Sequence, residues 1–181
     1  GKNHSSVIMN FAIKGGNKTA YFLSGGDAEV VCWECVRDRL TDKYSMSWLD
    51  YDILQAPHHC SWHSLSHHSL SDMGDEAETS EKAMEVFNRA KQNAFIISSS
   101  KVIEDDEKDP PAYRAKEEYE KIVDNVQGQF LCVSDHKKNG ENIPLEIEIS
   151  DNGIKKIAAS ALGMAESSSA AVNRQGGGGY A

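Results

Sequence analysis

The sequence predicts a single mixed α/β domain followed by a short tail. Three observations support this fold class: strand patterns alternate with helical patterns, turn residues separate them, and 39% of the 181 residues are hydrophobic. A chain of this length can bury one ordinary core. We expect the domain to occupy residues 1–159, and a flexible tail rich in serine and glycine to occupy residues 160–181.

The first elements have the pattern of a β-hairpin that leads into a helix. Residues 7–13 are largely apolar, the turn residues 14–18 follow them, and residues 19–23 are β-branched and aromatic. After a Gly-Gly pair, apolar residues recur at helical spacing over residues 28–40. Asp27 is therefore expected at the point where a strand gives way to a helix.

The middle of the chain predicts two more strands and one helix. A short strand is expected over residues 51–55, and a loop rich in serine and histidine over residues 58–75. The apolar spacing of residues 79–91 is that of one helical face, and residues 94–98 form the strand that follows.

The last third predicts a helix and a closing meander. The acidic residues 104–109 are expected to form a solvated connector, after which Pro110 or Pro111 opens a helix. Two turn signals with Asn-Gly separate three short strands. The predicted strands are residues 129–133, 144–149 and 154–157.

Charge and cysteine content restrict the classes of function. The net charge of −9 repels phosphate polymers, so a nucleic-acid partner would need a local basic patch, a metal or another chain. Four scattered cysteines indicate a reducing cytoplasm rather than a disulfide-stabilised secreted domain. The apolar runs are far shorter than the roughly 20 residues needed to cross a bilayer, and Gly1 begins no signal peptide, so no membrane association is expected.

Candidate metal ligands follow two of the predicted strands. Asp27 comes after the second strand, and His58 and His59 come after the third. Imidazole and carboxylate are ligands that zinc accepts, and a carboxylate can bridge two ions, so the pattern indicates metal-assisted hydrolysis. The alternatives are that Asp27 is only a helix cap and that the histidines are only solvated.

The order of these features resembles a known family. The hairpin with its Gly-Gly turn, the strand that ends in Gly-Asp, the segment Leu49-Asp50-Tyr51-Asp52-Ile53-Leu54, the Pro57-His58-His59 motif and the strand Ala94-Phe95-Ile96-Ile97-Ser98 appear in succession. This succession resembles the C-terminal half of the metallo-β-lactamase-fold domain of competence proteins (the ComEC-like type). The likeness continues through Pro110-Pro111-Ala112-Tyr113 and covers roughly residues 3–157.

The resemblance implies a fold and a set of roles. The family domain is a four-layer αββα sandwich of two similar halves, with two zinc ions, or manganese, in its site. Asp27 would be the bridging carboxylate, and one of His58 and His59 the last histidine ligand, with Asp27 and His59 as the catalytic pair. A metal-bound hydroxide would attack a phosphodiester, or another ester or amide bond.

Further residues match the family with less defined roles. Ser61 would be a loop residue of the site that contacts the substrate, which can be a nucleic acid in this family. Independently of the resemblance, His63 is a candidate to line the substrate entrance. Asn3 and Ser5 match polar residues that lead the family's hairpin.

Two departures from the family pattern limit these implications. Cys60 replaces the usual glycine after the histidine pair, where it would narrow the pocket or add a thiolate. The first metal motif, of the form His-x-His-x-Asp-His, is absent, together with the strands that would carry it. We therefore expect the other half to come from the same polypeptide or from a second chain, for example in an oligomer. The alternative is a degenerate, non-catalytic binding module within a larger assembly.

Three further sequence patterns are expected to have structural rather than functional roles. Cys32 and Cys35 have thioredoxin-like spacing, but we expect them inside a helix as buried small residues. The histidines at positions 63, 67 and 68 are expected on a mobile, solvated loop. The glycines at 176–179 are typical of a flexible terminus and only weakly indicate a ubiquitin-like tail.

Overall fold

A computed structural model describes residues 3, 5–106 and 108–158 of the chain. The tail predicted for residues 160–181 lies outside the described residues. Five strands form the main sheet, and four α-helices connect or flank them. The strands are β1 (Met9–Gly15), β2 (Lys18–Ser24), β3 (Tyr51–Gln55), β4 (Ala90–Ser98) and β5 (Gln129–Cys132). The helices are α1 (Val30–Asp42), α2 (Leu70–Met73), α3 (Glu81–Phe87) and α4 (Tyr113–Asn125).

The main sheet has its strands in sequence order and is mostly parallel. β1 pairs antiparallel with β2, whereas β2, β3, β4 and β5 run parallel to one another. Parallel neighbours need crossover connections, and here each connection contains a helix. The carboxyl ends of β2, β3 and β4 therefore meet at one edge of the sheet, where ligand sites of open α/β sheets lie.

One face of the sheet carries the hydrophobic core. Leu23, Leu54 and Ile96 are in register across β2, β3 and β4, and all three are fully buried. Three aromatic rings from α1, α3 and α4 pack on this face in a continuous row, with ring-centre distances of 4.9 Å and 5.6 Å. The rings are those of Trp33, Phe87 and Tyr119.

The opposite face of the sheet is only partly covered. Phe11, Phe22, Ile53 and Phe95 form a cross-strand row there, because each residue is one position from its neighbour on the core face. Ile53 and Phe95 are buried, but Phe11 at the edge is 42% exposed. Met9 and Ile13 flank Phe11 on the same strand face and are also exposed. The first strand therefore presents an apolar strip to the outside.

Two short hairpins follow the main sheet. The first pairs β6 (Lys137–Lys138) with β7 (Glu141–Asn142), and the second pairs β8 (Ile147–Ser150) with β9 (Gly153–Lys156). The second hairpin packs against the first two strands, where β8 lies so close to Gly15 that a side chain there would collide with the backbone of Ile149. The single closing meander predicted from the sequence is thus wrong: β5 joins the main sheet, and the rest forms two separate hairpins.

Element boundaries differ from the predictions mainly around the second half of the sheet. The predicted helix over residues 79–91 ends early at Phe87, because β4 begins at Ala90 rather than at Ala94. The predicted loop over residues 58–75 contains short helical turns. No helix in the described part of the chain is long and apolar enough to cross a membrane.

Candidate metal centre

Asp27 lies in the loop that joins β2 to α1, at the carboxyl edge of the sheet. The Nε1–H of Trp33 donates to the carbonyl of Ala28 over 3.1 Å and so fixes the residue that follows Asp27. A side chain at Gly25 would collide with the buried Trp33 ring, so glycine is required there. The carboxylate of Asp27 is 52% exposed and faces outward from this anchored loop.

The histidine pair follows β3 in a tight left-handed turn. His58, His59 and Cys60 have φ angles of 47°, 57° and 68°. A run of three non-glycine residues at positive φ is energetically costly and typically persists only where the surrounding structure enforces it. The N–H of His58 donates to the carbonyl of Gly26 over 2.9 Å, which ties this turn to the Asp27 loop.

His59 is oriented by a hydrogen bond that it donates to the backbone at the end of the neighbouring strand. Its Nδ1 atom lies 2.8 Å from the carbonyl oxygen of Ser99, just beyond β4. A carbonyl only accepts, so Nδ1 carries the hydrogen and Nε2 keeps its lone pair when the ring is neutral. Nε2 lies 3.8 Å from Oδ1 of Asp27. Metal-binding histidines are commonly held in this way: one ring nitrogen donates to a backbone carbonyl, and the other is free to bind the metal.

A polar bridge beneath the site links the ends of three strands. The hydroxyl of Ser24 donates to Oε1 of Gln55 over 2.7 Å, and Nε2 of Gln55 donates to Oγ of Ser99 over 3.4 Å. Gln55 thereby connects the strand that leads to Asp27 with the residue whose carbonyl holds His59.

His58 points differently from His59. The two ring centres are 6.4 Å apart, and Nδ1 of His58 is buried without a hydrogen-bond partner among the described residues. An unpaired buried nitrogen is costly, so Nδ1 of His58 is an unsatisfied polar atom beside the pair of Asp27 and His59. The structure therefore brings Asp27 and His59 together at one edge, and it places the His58 ring beside that of His59 with its Nδ1 in a different environment.

Cys60 faces the core rather than the histidine pair. It is fully buried, and burial raises the pKa of its thiol, which keeps the thiol neutral. Its carbonyl accepts a hydrogen bond from the N–H of Ala112 over 2.9 Å, which links the turn to the start of α4. A neutral thiol inside the core is not placed to add a thiolate to the site.

Ser61 and His63, the predicted substrate contacts, have different settings. Ser61 is fully buried, and its Oγ accepts a hydrogen bond from the N–H of His63. His63 is about half exposed, and its Nε2 lies 4.0 Å from Oδ2 of Asp109. The other oxygen of Asp109 accepts from the N–H of Trp62 over 3.2 Å. Substrate contact by these two residues stays a prediction.

The serine- and histidine-rich loop is more extensively packed than a solvated loop. Ser64 and Ser66 are buried, and their hydroxyls donate to the carbonyls of Ala28 and Glu78. His67 and His68 are exposed, as expected, and Nε2 of His67 lies 2.9 Å from Glu34. The serines therefore hold the loop against the sheet edge while the histidines point outward.

The residues that lead the hairpin lie near the first loop of the site. The side-chain amide of Asn3 donates to Glu29 over 3.1 Å, two residues after Asp27. Ser5 is exposed. In the described part of the chain there is no cluster of three or more His, Cys, Asp or Glu residues arranged to hold a metal ion.

No family model, no curated protein and no solved structure matches the chain.

Sequence reasoning missed three residues that shape this site: Gln55, Ser99 and Asp109. Gln55 ends β3, and Ser99 belongs to the run of serines that ends β4. Their proximity could have been predicted, because residues at the carboxyl ends of adjacent parallel strands lie close together. Asp109 was assigned to a solvated acidic turn, but its side chain is only 13% exposed. Its hydrogen bond with the N–H of Trp62 joins residues 47 positions apart, and such a contact has no local sequence signature.

Proposed function

We propose that this chain carries part of the site of a metal-dependent hydrolase of the metallo-β-lactamase fold, as the C-terminal half of the domain. The observation that carries the proposal is the pairing of Asp27 with a histidine whose Nδ1 is held by a backbone carbonyl. The bound ion, zinc or alternatively manganese, would activate water and stabilise negative charge on a phosphodiester, or on another ester or amide.

The separation of the two candidate ligands suits a shared ion. Two ligands of a tetrahedral zinc ion at about 2.1 Å lie roughly 3.4 Å apart. His59 Nε2 and Asp27 Oδ1 are 3.8 Å apart, so a small side-chain rotation brings both into range. The buried, unpaired Nδ1 of His58 is consistent with this proposal, because a polar group of the second half could hydrogen-bond to it at the same edge.

Two protein ligands form an incomplete site, so we propose that another half-domain supplies the others. The apolar strip on β1 supports this, because Met9, Phe11 and Ile13 alternate along one strand face and are each about 40% exposed. A second sheet packed on that face would bury them as the two layers of a sandwich do. The second half would belong to the same polypeptide or to a separate chain.

The acidic character of the chain bears on the substrate. A net charge of −9 opposes binding of a nucleic-acid polymer unless the metal or the second half supplies positive charge. We keep a phosphodiester as the proposed scissile bond. It would belong either to a small molecule or, where the metal or the second half supplies positive charge, to a nucleic acid.

The test is metal-dependent hydrolysis by the intact protein. We expect bis(p-nitrophenyl) phosphate to be hydrolysed, chelation with EDTA to abolish the activity, and zinc or manganese to restore it. Asp27→Asn should lower the activity by at least about 100-fold, because bridging carboxylates act in both metal binding and catalysis. Asp42→Asn, at the exposed far end of α1, is the matched control and should retain wild-type activity.

Two outcomes would overturn the proposal. Activity that survives both chelation and Asp27→Asn would exclude this metal site. A protein that binds metal but hydrolyses neither the phosphodiester nor p-nitrophenyl acetate would instead be the non-catalytic binding module.

A further inference from the structure

The first two turns of α1 place two cysteines in an unexpected setting. The helix begins at Val30, so Cys32 lies in its first turn rather than deep inside the helix. Cys35 is exposed, and Cys32 is half-buried, so the expectation that both are buried small residues is wrong. The grounds for excluding redox chemistry from the sequence therefore do not hold.

The two residues between the cysteines fix the rotation of the helix. Trp33 is fully buried and hydrogen-bonded to Ala28. Glu34 accepts hydrogen bonds from the hydroxyl of Ser80 over 2.6 Å and from His67 over 2.9 Å. Because both middle residues are anchored to the rest of the domain, the cysteines are held on the outward side.

A groove of about 410 Å³ runs along that outward side. Both cysteines line it, together with apolar side chains and one arginine. The other lining residues are Ser6, Ile8, Val31, Val36 and Arg39. A small thiol-reactive molecule can therefore approach Cys35 directly and reach Cys32 from the same side.

The other two cysteines provide an internal contrast. Cys60 is fully buried and Cys132 is 7% exposed, so neither is accessible to a reagent in solution. The Sγ atom of Cys32 lies 3.6 Å from the carbonyl oxygen of Asn3, and burial raises the pKa of its thiol. Cys35 is thus the accessible thiol and Cys32 the protected neighbour.

Helical spacing places this pair close to, but slightly beyond, the distance of a disulfide. Side chains three positions apart in a helix have Cβ atoms about 5–6 Å apart, and a disulfide needs about 3.5–4.5 Å. The bond therefore requires a local tightening of the first turns, and such strain makes a disulfide easier to reduce.

We propose that Cys32 and Cys35 form a reversible disulfide with a low-molecular-weight disulfide as the oxidant. The thiolate of Cys35 attacks one sulfur of the oxidant, whose S–S bond breaks and releases one thiol. The thiolate of Cys32 then attacks the sulfur of Cys35 in the mixed disulfide and releases the second thiol. Two cysteine protons and two electrons pass to the oxidant, which leaves as two thiols.

The experiment is oxidation of the intact protein by oxidised glutathione, followed by alkylation and peptide mapping. We expect the peptide with Cys32 and Cys35 to lose two hydrogens and to resist alkylation until dithiothreitol is added. Cys60 and Cys132 should remain reduced and be alkylated only after denaturation. Alkylatable Cys32 and Cys35 after oxidation would overturn the proposal.

Single substitutions assign the two roles. Cys32→Ser should stop at a stable glutathione adduct on Cys35, whereas Cys35→Ser should form neither an adduct nor a disulfide on the same timescale. Pulse alkylation of the wild-type protein compares the reactivities of the two thiols directly. Cys35 should react at least about tenfold faster than Cys32. An equal or reversed order would contradict the assigned roles.

Discussion

Nε2 of His59 lies 3.8 Å from Oδ1 of Asp27, while the opposite ring nitrogen of His59 is held by the carbonyl of Ser99. Three parallel strands contribute to this relationship, because Asp27 follows β2, His59 follows β3 and Ser99 follows β4. The sheet therefore supplies both a candidate ligand pair and the group that orients it. This is the physical basis for preferring His59 over His58 as the partner of Asp27.

Gln55→Leu should weaken metal binding without unfolding the domain. The substitution removes the hydrogen bonds to Ser24 and Ser99 and so loosens the residue that orients His59. Loss of such a supporting residue typically costs about 10–100-fold in metal affinity. A competitive zinc titration with a chromogenic chelator measures this change. Gln129→Leu, on an exposed position of β5, is the control, and equal affinities for the two variants would exclude the role of the bridge.

Cys60→Ala should leave metal content unchanged. The thiol lies in the core and burial raises its pKa, so it remains protonated and does not act as a ligand. Removal of one buried sulfur should cost about 1 kcal/mol in the free energy of unfolding. Metal analysis and urea denaturation measure the two effects. A loss of bound metal with no loss of stability would show that Cys60 is a ligand.

Glu34→Gln should lower thermal stability at neutral pH but not in acid. Partial burial raises the pKa of this carboxyl, but hydrogen bonds from Ser80 and His67 and the charges of His67 and Lys82 outweigh it, so the net pKa is lowered. A depressed folded-state pKa adds stability above the unfolded value of about 4.5, and this stability is lost as the pH falls through the folded value.

Melting temperatures of the Glu34 variant and the wild type should therefore differ by a few degrees at pH 7 and converge as the pH falls through the folded-state pKa, which lies below 4.5. The control is Glu81→Gln, which changes an exposed carboxyl on α3. A difference that persists unchanged at pH 3 would assign the effect to packing rather than to charge.

Phe87→Ala should be strongly destabilising because Phe87 connects the helices of the core. Its ring contacts those of Trp33 and Tyr119, and its carbonyl accepts a hydrogen bond from the hydroxyl of Tyr51. Truncation of a buried phenylalanine costs about 3–5 kcal/mol. Urea denaturation should show this loss, whereas Trp48→Ala, which removes a ring that is 45% exposed, should cost much less. Equal losses of unfolding free energy in the two variants would contradict the assignment of Phe87 to the centre of the core.

The sequence was sufficient to predict the elements whose signal is local. The strand Tyr51–Gln55 was predicted with its observed bounds, because apolar residues and a following proline define it. The position of Asp27 between a strand and a helix was also confirmed. Both depend on turn residues and periodicity within a few positions.

The remaining features depend on contacts between distant residues. The hairpin of β8 and β9 packs on Gly15 of β1, which is more than a hundred residues away in the chain. Likewise, the orientation of His59 depends on the carbonyl of Ser99, a backbone group that any residue would provide. Neither contact can be inferred from one sequence without knowledge of which strands are neighbours.

The most direct test of the proposed metal site is the metal content of the intact protein and of three variants after equilibrium dialysis against zinc. Asp27→Asn and His59→Gln should each lose most of the bound zinc, whereas Asp42→Asn should bind as much as the wild type. These results would identify Asp27 and His59 as ligands of one ion. Wild-type zinc content in both Asp27→Asn and His59→Gln would exclude Asp27 and His59 as zinc ligands.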